Sequence, residues 1–114
     1  MSRDWRLFYS DLIDFCQQIL SYTQGMDRVA FESNRLVFDA TLRNLELIGE
    51  AAKHIPENVR QLLPDIPWQD IVGARNIFAH AYFGVDRDLV WHTVKTEIPD
   101  MFTKLHALQA KALK

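Results

Sequence analysis

Apolar residues recur along this chain at steps of three and four, with polar residues filling the gaps. From about Asp4 to Thr23, Trp5, Phe8, Leu12, Phe15, Ile19 and Tyr22 make one stripe of an amphipathic helix. Gly25 is a stop signal, and Asp27 can cap the next helix. No proline interrupts the stretch from Asp27 to His54. There Val37, Phe38, Thr41, Leu45, Ile48 and Ala52 supply apolar faces, while Asp39, Arg43, Glu46, Glu50 and Lys53 form a charged stripe. The spacing predicts one long second helix, roughly 40 Å from end to end at helical rise. Pro56 opens a short helical piece that ends before Pro64. Pro67 suits the first turn of another helix, anchored by Ile66, Trp68 and Ile71 and ending near Gly84. Asp86 can cap a last helix through Leu89, Val90, Trp91, Val94 and Ile98, in which Pro99 forces a kink or a new turn. Phe102, Leu105, Leu108 and Leu113 continue the helical period. No segment alternates with the period of a strand. The pattern predicts an all-α antiparallel bundle of four to five helices forming one domain, residues 1–114.

Composition narrows this picture. Of the 114 residues 48% are hydrophobic, enough for a packed core, yet no apolar run nears the roughly 18 residues that span a bilayer. The start, Met1-Ser2-Arg3-Asp4-Trp5, lacks the apolar core of a signal peptide. Cys16 is the sole cysteine and has no disulfide partner in the chain; it is expected to fill core space. These features predict a cytoplasmic protein without a membrane role. A formal net charge of −2 argues against coating RNA or DNA, and no DNA partner is expected. It leaves room for an enzyme that grips one phosphate. His54, His92 and His106 are scattered without zinc spacing, and no glycine-rich phosphate loop exists, so neither metal nor cofactor is expected.

The chemistry concentrates in Arg75-Asn76-Ile77-Phe78-Ala79-His80-Ala81-Tyr82. Arginine holds phosphate through forked, charge-assisted hydrogen bonds, histidine moves protons near neutral pH, and asparagine can orient an oxygen. On a helix Asn76 and His80 share a face, and Arg75 and Tyr82 share a neighbouring stripe. These residue types suit metal-free chemistry on a phosphodiester. A plainer reading stands beside it: Arg75 pairs with the acidic stripe of the second helix, His80 is a satisfied core histidine, and Tyr82 is an interfacial phenol. Glu46 and Glu50 are candidates for holding Arg75 in place, and Arg43 for adding positive charge to the cleft. Trp68 and Trp91 are expected to pack under the motif helix rather than stack on bases.

The run resembles the Arg-x4-6-His signature of the HEPN superfamily, and with Tyr82 the Arg-x4-His-x-Tyr form of HepT-like toxins. Arg43 to Ala52, Ile66-Pro67-Trp68, Tyr82 to Asp86 and Leu89-Val90-Trp91 are also similar to that family. The resemblance implies a HEPN-type bundle that forms a homodimer, with the motif helices of two protomers lining one cleft. It implies a toxin of a toxin–antitoxin pair whose partner is an MntA-like minimal nucleotidyltransferase. It implies a metal-independent endoribonuclease with Arg75 and His80 as catalytic residues, Asn76 beside them, and Tyr82 as the acceptor when the antitoxin transfers AMP. RNA supplies its own nucleophile, the 2′-hydroxyl, and a dimer would supply a second His80 for the second proton transfer. The alternative is a non-catalytic helical partner that docks on and regulates a nucleotidyltransferase; retention of both Arg75 and His80 favours the nuclease.

Overall fold

A computed structural model describes residues 3–79 and 87–112, and the side chains of 74–79 and of residue 112 lie outside what it describes. Among the described residues the chain is all-α, without strands. Helix α1 spans Trp5–Tyr22, with Asp4 as its N-cap accepting from the Arg6 amide at 2.9 Å. Gly25 turns the chain after it at φ +75°, a region that suits a residue without Cβ.

The expected single helix over 27–54 is two helices, a correction to the sequence reading. Helix α2 spans Arg28–Ser33 and helix α3 spans Arg35–Ala52. Asp27 caps the first as expected, accepting from the Ala30 amide at 2.8 Å. The break falls at Asn34, whose backbone is extended at ψ 95° and whose side chain accepts from the Val37 amide at 3.1 Å. Ser33 just before it turns its hydroxyl onto the Val29 carbonyl at 2.6 Å. Short polar side chains that bond nearby backbone compete with helix continuation. The hydrophobic period ran through this break because both pieces bury the same side: Phe31 of α2 packs on Phe38 of α3 at 5.3 Å.

Helix α4 is one turn, Glu57–Arg60, entered through Pro56. The Arg60 guanidinium donates to the carbonyls of Ala52 (2.8 Å), the last residue of α3, and Ile55 (3.0 Å), tying α4 to the end of α3. It also lies 5.7 Å from the Trp68 ring, and the Trp68 indole N–H donates to the Leu63 carbonyl at 3.1 Å. Trp68 is therefore the hub that starts helix α5, Trp68–Ala79, beside the end of α3, so that α5 returns along α3.

Helix α6 (Arg87–His92), a π-helical turn (Thr93–Glu97) and helix α7 (Ile98–Ala112) run on from one another without a gap. The widened turn sits where Pro99 has no N–H to give the Lys95 carbonyl, so the expected kink is met by local unwinding. Asp86, the expected cap, lies outside the described residues. Helix α7 packs on α1, where the buried Tyr9 hydroxyl donates to the Leu105 carbonyl at 2.8 Å. Burial also raises the Tyr9 pKa. Leu12, Ile19, Leu42, Val90 and Leu105 fill the centre. Cys16 is core filler as expected: it is fully buried, and desolvation pushes its thiol up to about 12.

Candidate active site

Helix α5 carries the first five residues of the run, Arg75 to Ala79. Its last two turns hold the backbone of Arg75 and Asn76 on the helix that packs against α3. The side chains of those two residues, and all of His80 and Tyr82, lie outside the described residues. The structure therefore positions the scaffold of the site and its neighbours.

Helix α3, on which α5 packs, carries the expected supporting residues Arg43, Glu46 and Glu50. Arg43 is exposed and its guanidinium lies 3.6 Å from Glu46, one turn on. Glu46 and Glu50 are half-buried, and Glu50 lies 3.6 Å from the Lys53 ammonium. Each acid thus has a cation on its own helix, and the charged stripe expected from the sequence is present as local pairs. Asn44, on the same helix, is buried and donates to Gln18 of α1 at 2.9 Å, fixing the rotation of α3.

The start of α6 is held to α2 by ion pairs. Arg28 of α2 pairs with Glu32 on its own helix and with Asp88 at the start of α6. Arg87 reaches Glu32 at 3.4 Å and lies 5.1 Å from the Phe38 ring. The hydrogen bond from Arg28, then its charge and Arg87, hold the Glu32 carboxyl below the usual range despite partial desolvation, and the same pairs raise the Arg28 pKa. Beneath them Trp91 of α6 packs on Phe31 at 5.6 Å. Trp68 and Trp91 accordingly serve packing: Trp68 as the first residue of α5 itself, Trp91 against α2.

The other histidines are structural or exposed. His54 stacks on Phe8 at 4.0 Å, His106 on Phe102 at 5.7 Å, and His92 pairs with Glu97 at 3.3 Å across the π-helical turn. Among the described residues no three His, Cys, Asp or Glu side chains converge to hold a metal ion, and no helix is long and apolar enough to cross a membrane.

The sequence did not disclose a groove beside the motif helix. It has a volume of about 510 Å³ and lies between the first half of α5, the π-helical turn and α7. Leu45, Ile48, Ile71, Leu89 and Met101 give it an apolar floor; Asp70, Glu97 and Asp100 stand at its margin. Its one sequence signal was Gly73, a glycine inside a helical pattern.

Residues 12–108 match the family model described as "Ribonuclease HepT-like". The chain is 35% identical over 109 residues to "Probable ribonuclease HepT" of Thermococcus cleftensis, covering 96% of this chain and 99% of that one. It is 37% identical over 97 residues to "Putative RNase MJ1380" of Methanocaldococcus jannaschii, covering 85% and 89% of the two chains. A second protein of that archaeon, "Putative RNase MJ0125", is 40% identical over 99 residues, covering 87% and 85%. No solved structure matches the chain.

Proposed function

From the premise that this chain belongs to the HepT-like ribonuclease family of the HEPN superfamily, we propose that it is a metal-independent endoribonuclease acting through Arg75, Asn76 and His80. One observation carries this reading: the family match extends through the whole run from Arg75 to Tyr82, and that run retains every chemical group the reaction needs. One His80 takes the proton from the RNA 2′-hydroxyl. The 2′-oxygen then bonds phosphorus while the bond from phosphorus to the 5′-oxygen breaks, and a protonated histidine gives its proton to that leaving oxygen. Arg75 holds the phosphate and its developing charge. Asn76 orients the phosphate or the ring. The product is a 2′,3′-cyclic phosphate and a free 5′-hydroxyl. The second histidine comes from the other protomer of a homodimer, since each motif has one.

In this reading the protein is the cytoplasmic toxin of a pair with an MntA-like nucleotidyltransferase, which neutralises it by moving AMP from ATP to the Tyr82 hydroxyl and releasing pyrophosphate. Tyr82 follows Arg75 by seven residues, a spacing that on a helix shares one stripe, so the added phosphate would compete there with substrate phosphate. The test uses purified protein, a labelled RNA and excess chelator. Parent protein cuts; Arg75→Ala and His80→Ala do not, while both unfold at the parent temperature. Cleavage that chelator abolishes, or that both variants retain, overturns the assignment. Intact mass after incubation with the partner and ATP then checks Tyr82, whose Phe variant should gain no AMP.

A further inference from the structure

The groove beside α5 has three properties that point to the same occupant. Its floor is aliphatic, from Leu45, Ile48, Ile71, Leu89 and Met101. Its margin is acidic: Asp70, Glu97 and Asp100 line it, and the hydrogen bond to Asp100, then the charges of Asp100, Asp65 and Glu97, raise the Lys104 pKa. Lys104 itself is held by Asp100 at 2.8 Å, and His92 by Glu97 at 3.3 Å. Among the described residues, three carboxylates and no lysine or arginine line the groove.

The third property is Gly73. It lies within α5, is exposed, and lines the groove. Among the described residues a Cβ placed there would meet nothing within 4 Å, so none of them requires glycine at this position. Glycine inside a helix is destabilising relative to alanine, and it lets another backbone come close. The described fold gives Gly73 no internal purpose; a body packed against α5 from outside gives it one.

We propose that this groove docks a basic amphipathic helix of a partner protein, apolar side chains on the floor, lysines or arginines at the acidic margin, and its backbone against Gly73. RNA is excluded by like charge. A second copy of this chain meeting the same face in a two-fold contact would set one acidic margin against another. Gly73 is two residues before Arg75, so the docked helix covers α5 up to the signature. Docking does not require that Arg75 and His80 cut RNA, and failure of one leaves the other standing.

Two model helical peptides of about 18 residues serve as probes, one with leucines on one face and lysines on the other, the second with glutamates in place of lysines. Binding is read by fluorescence anisotropy and by amide shifts of the full chain. The lysine peptide should bind, weaken as salt rises, and shift the amides of Ile71, Gly73 and Met101. Gly73→Leu and Asp70→Lys should each weaken it by about tenfold or more, while the glutamate peptide stays unbound. Gly73→Ala should raise the melting temperature and leave RNA cleavage by the isolated protein unchanged. The proposal falls if both peptides bind alike, if neither binds, if Gly73→Leu leaves binding intact, or if Gly73→Ala lowers the melting temperature. It falls equally if Gly73→Leu instead splits the homodimer, which would assign the groove to a second copy, or if single-stranded RNA shifts the Met101 amide, which lies outside the helix of Arg75.

Discussion

The α1–α3 side of the molecule and the face around α5 solve different problems. Where α1 and α3 pack, apolar side chains are fully buried, helix starts are capped, and the buried Asn44 has its partner on α1. Around α5 the structure is more open. A glycine sits inside the helix, an acidic margin surrounds an aliphatic groove, and the neighbouring helix is unwound by one π-helical turn. The contrast teaches where this chain spends its order. Helix α3 is common to both sides, packing on α1 through one face and on α5 through another, while α7 closes over α1.

Substitutions on the two sides should therefore fail in opposite ways. His80→Ala should reduce RNA cleavage by roughly 10²–10⁴-fold, the usual worth of a positioned proton-transfer group, with no fall in melting temperature. Leu42→Ala, at a fully buried α3 position, should cost about 2–5 kcal/mol in denaturant unfolding, with cleavage falling only as folded protein is lost. Comparable losses of both properties in both variants would erase the distinction. Tyr9→Phe keeps the ring and removes the bond to Leu105, so about 1 kcal/mol of stability should go. Asn34→Ala removes the cap at the α2–α3 break and should cost about 1 kcal/mol in the same measurement. The smallest effect belongs to the pairs joining α2 to α6. Glu32 has a depressed folded pKa, so its contribution is present above the ordinary carboxylate range and disappears as pH falls through its folded value. The melting temperature of Glu32→Gln should lie slightly below the parent at pH 7 and meet it in acid; a gap that persists there would deny the pairs any role.

The legibility of this molecule in its sequence tracks the same division. The α1 stripe, the Asp27 cap, the Gly25 stop, the Pro56 entry and the strain at Pro99 were all readable, because each depends on local pattern or on one residue's backbone chemistry. The break at Asn34 was not. It hinges on Ser33 and Asn34 turning their side chains onto the backbone, while the apolar period passes through undisturbed. The run from Arg75 to Tyr82 stood out by its residue types, but a plainer reading of each residue stood beside them, and it was the resemblance to the HEPN superfamily that gave the run a role. The groove beside it was not legible, because Leu45, Ile71, Leu89 and Met101 come from four separate stretches that only the tertiary packing assembles. Gly73 carried a trace of it, without any indication of what lay opposite.

The bond from Tyr9 to Leu105 joins residues 96 positions apart, and its consequence is one of timing. On the ribosome the chain emerges from its beginning at about 5–20 residues per second, so α1 waits several seconds for the helix that completes its burial. Until α7 arrives, the Tyr9 hydroxyl has no carbonyl to meet and the α1 stripe has no cover on that side. Closure of this side of the fold waits for α7, and a chain stopped short of Leu105 leaves the α1 stripe without that cover.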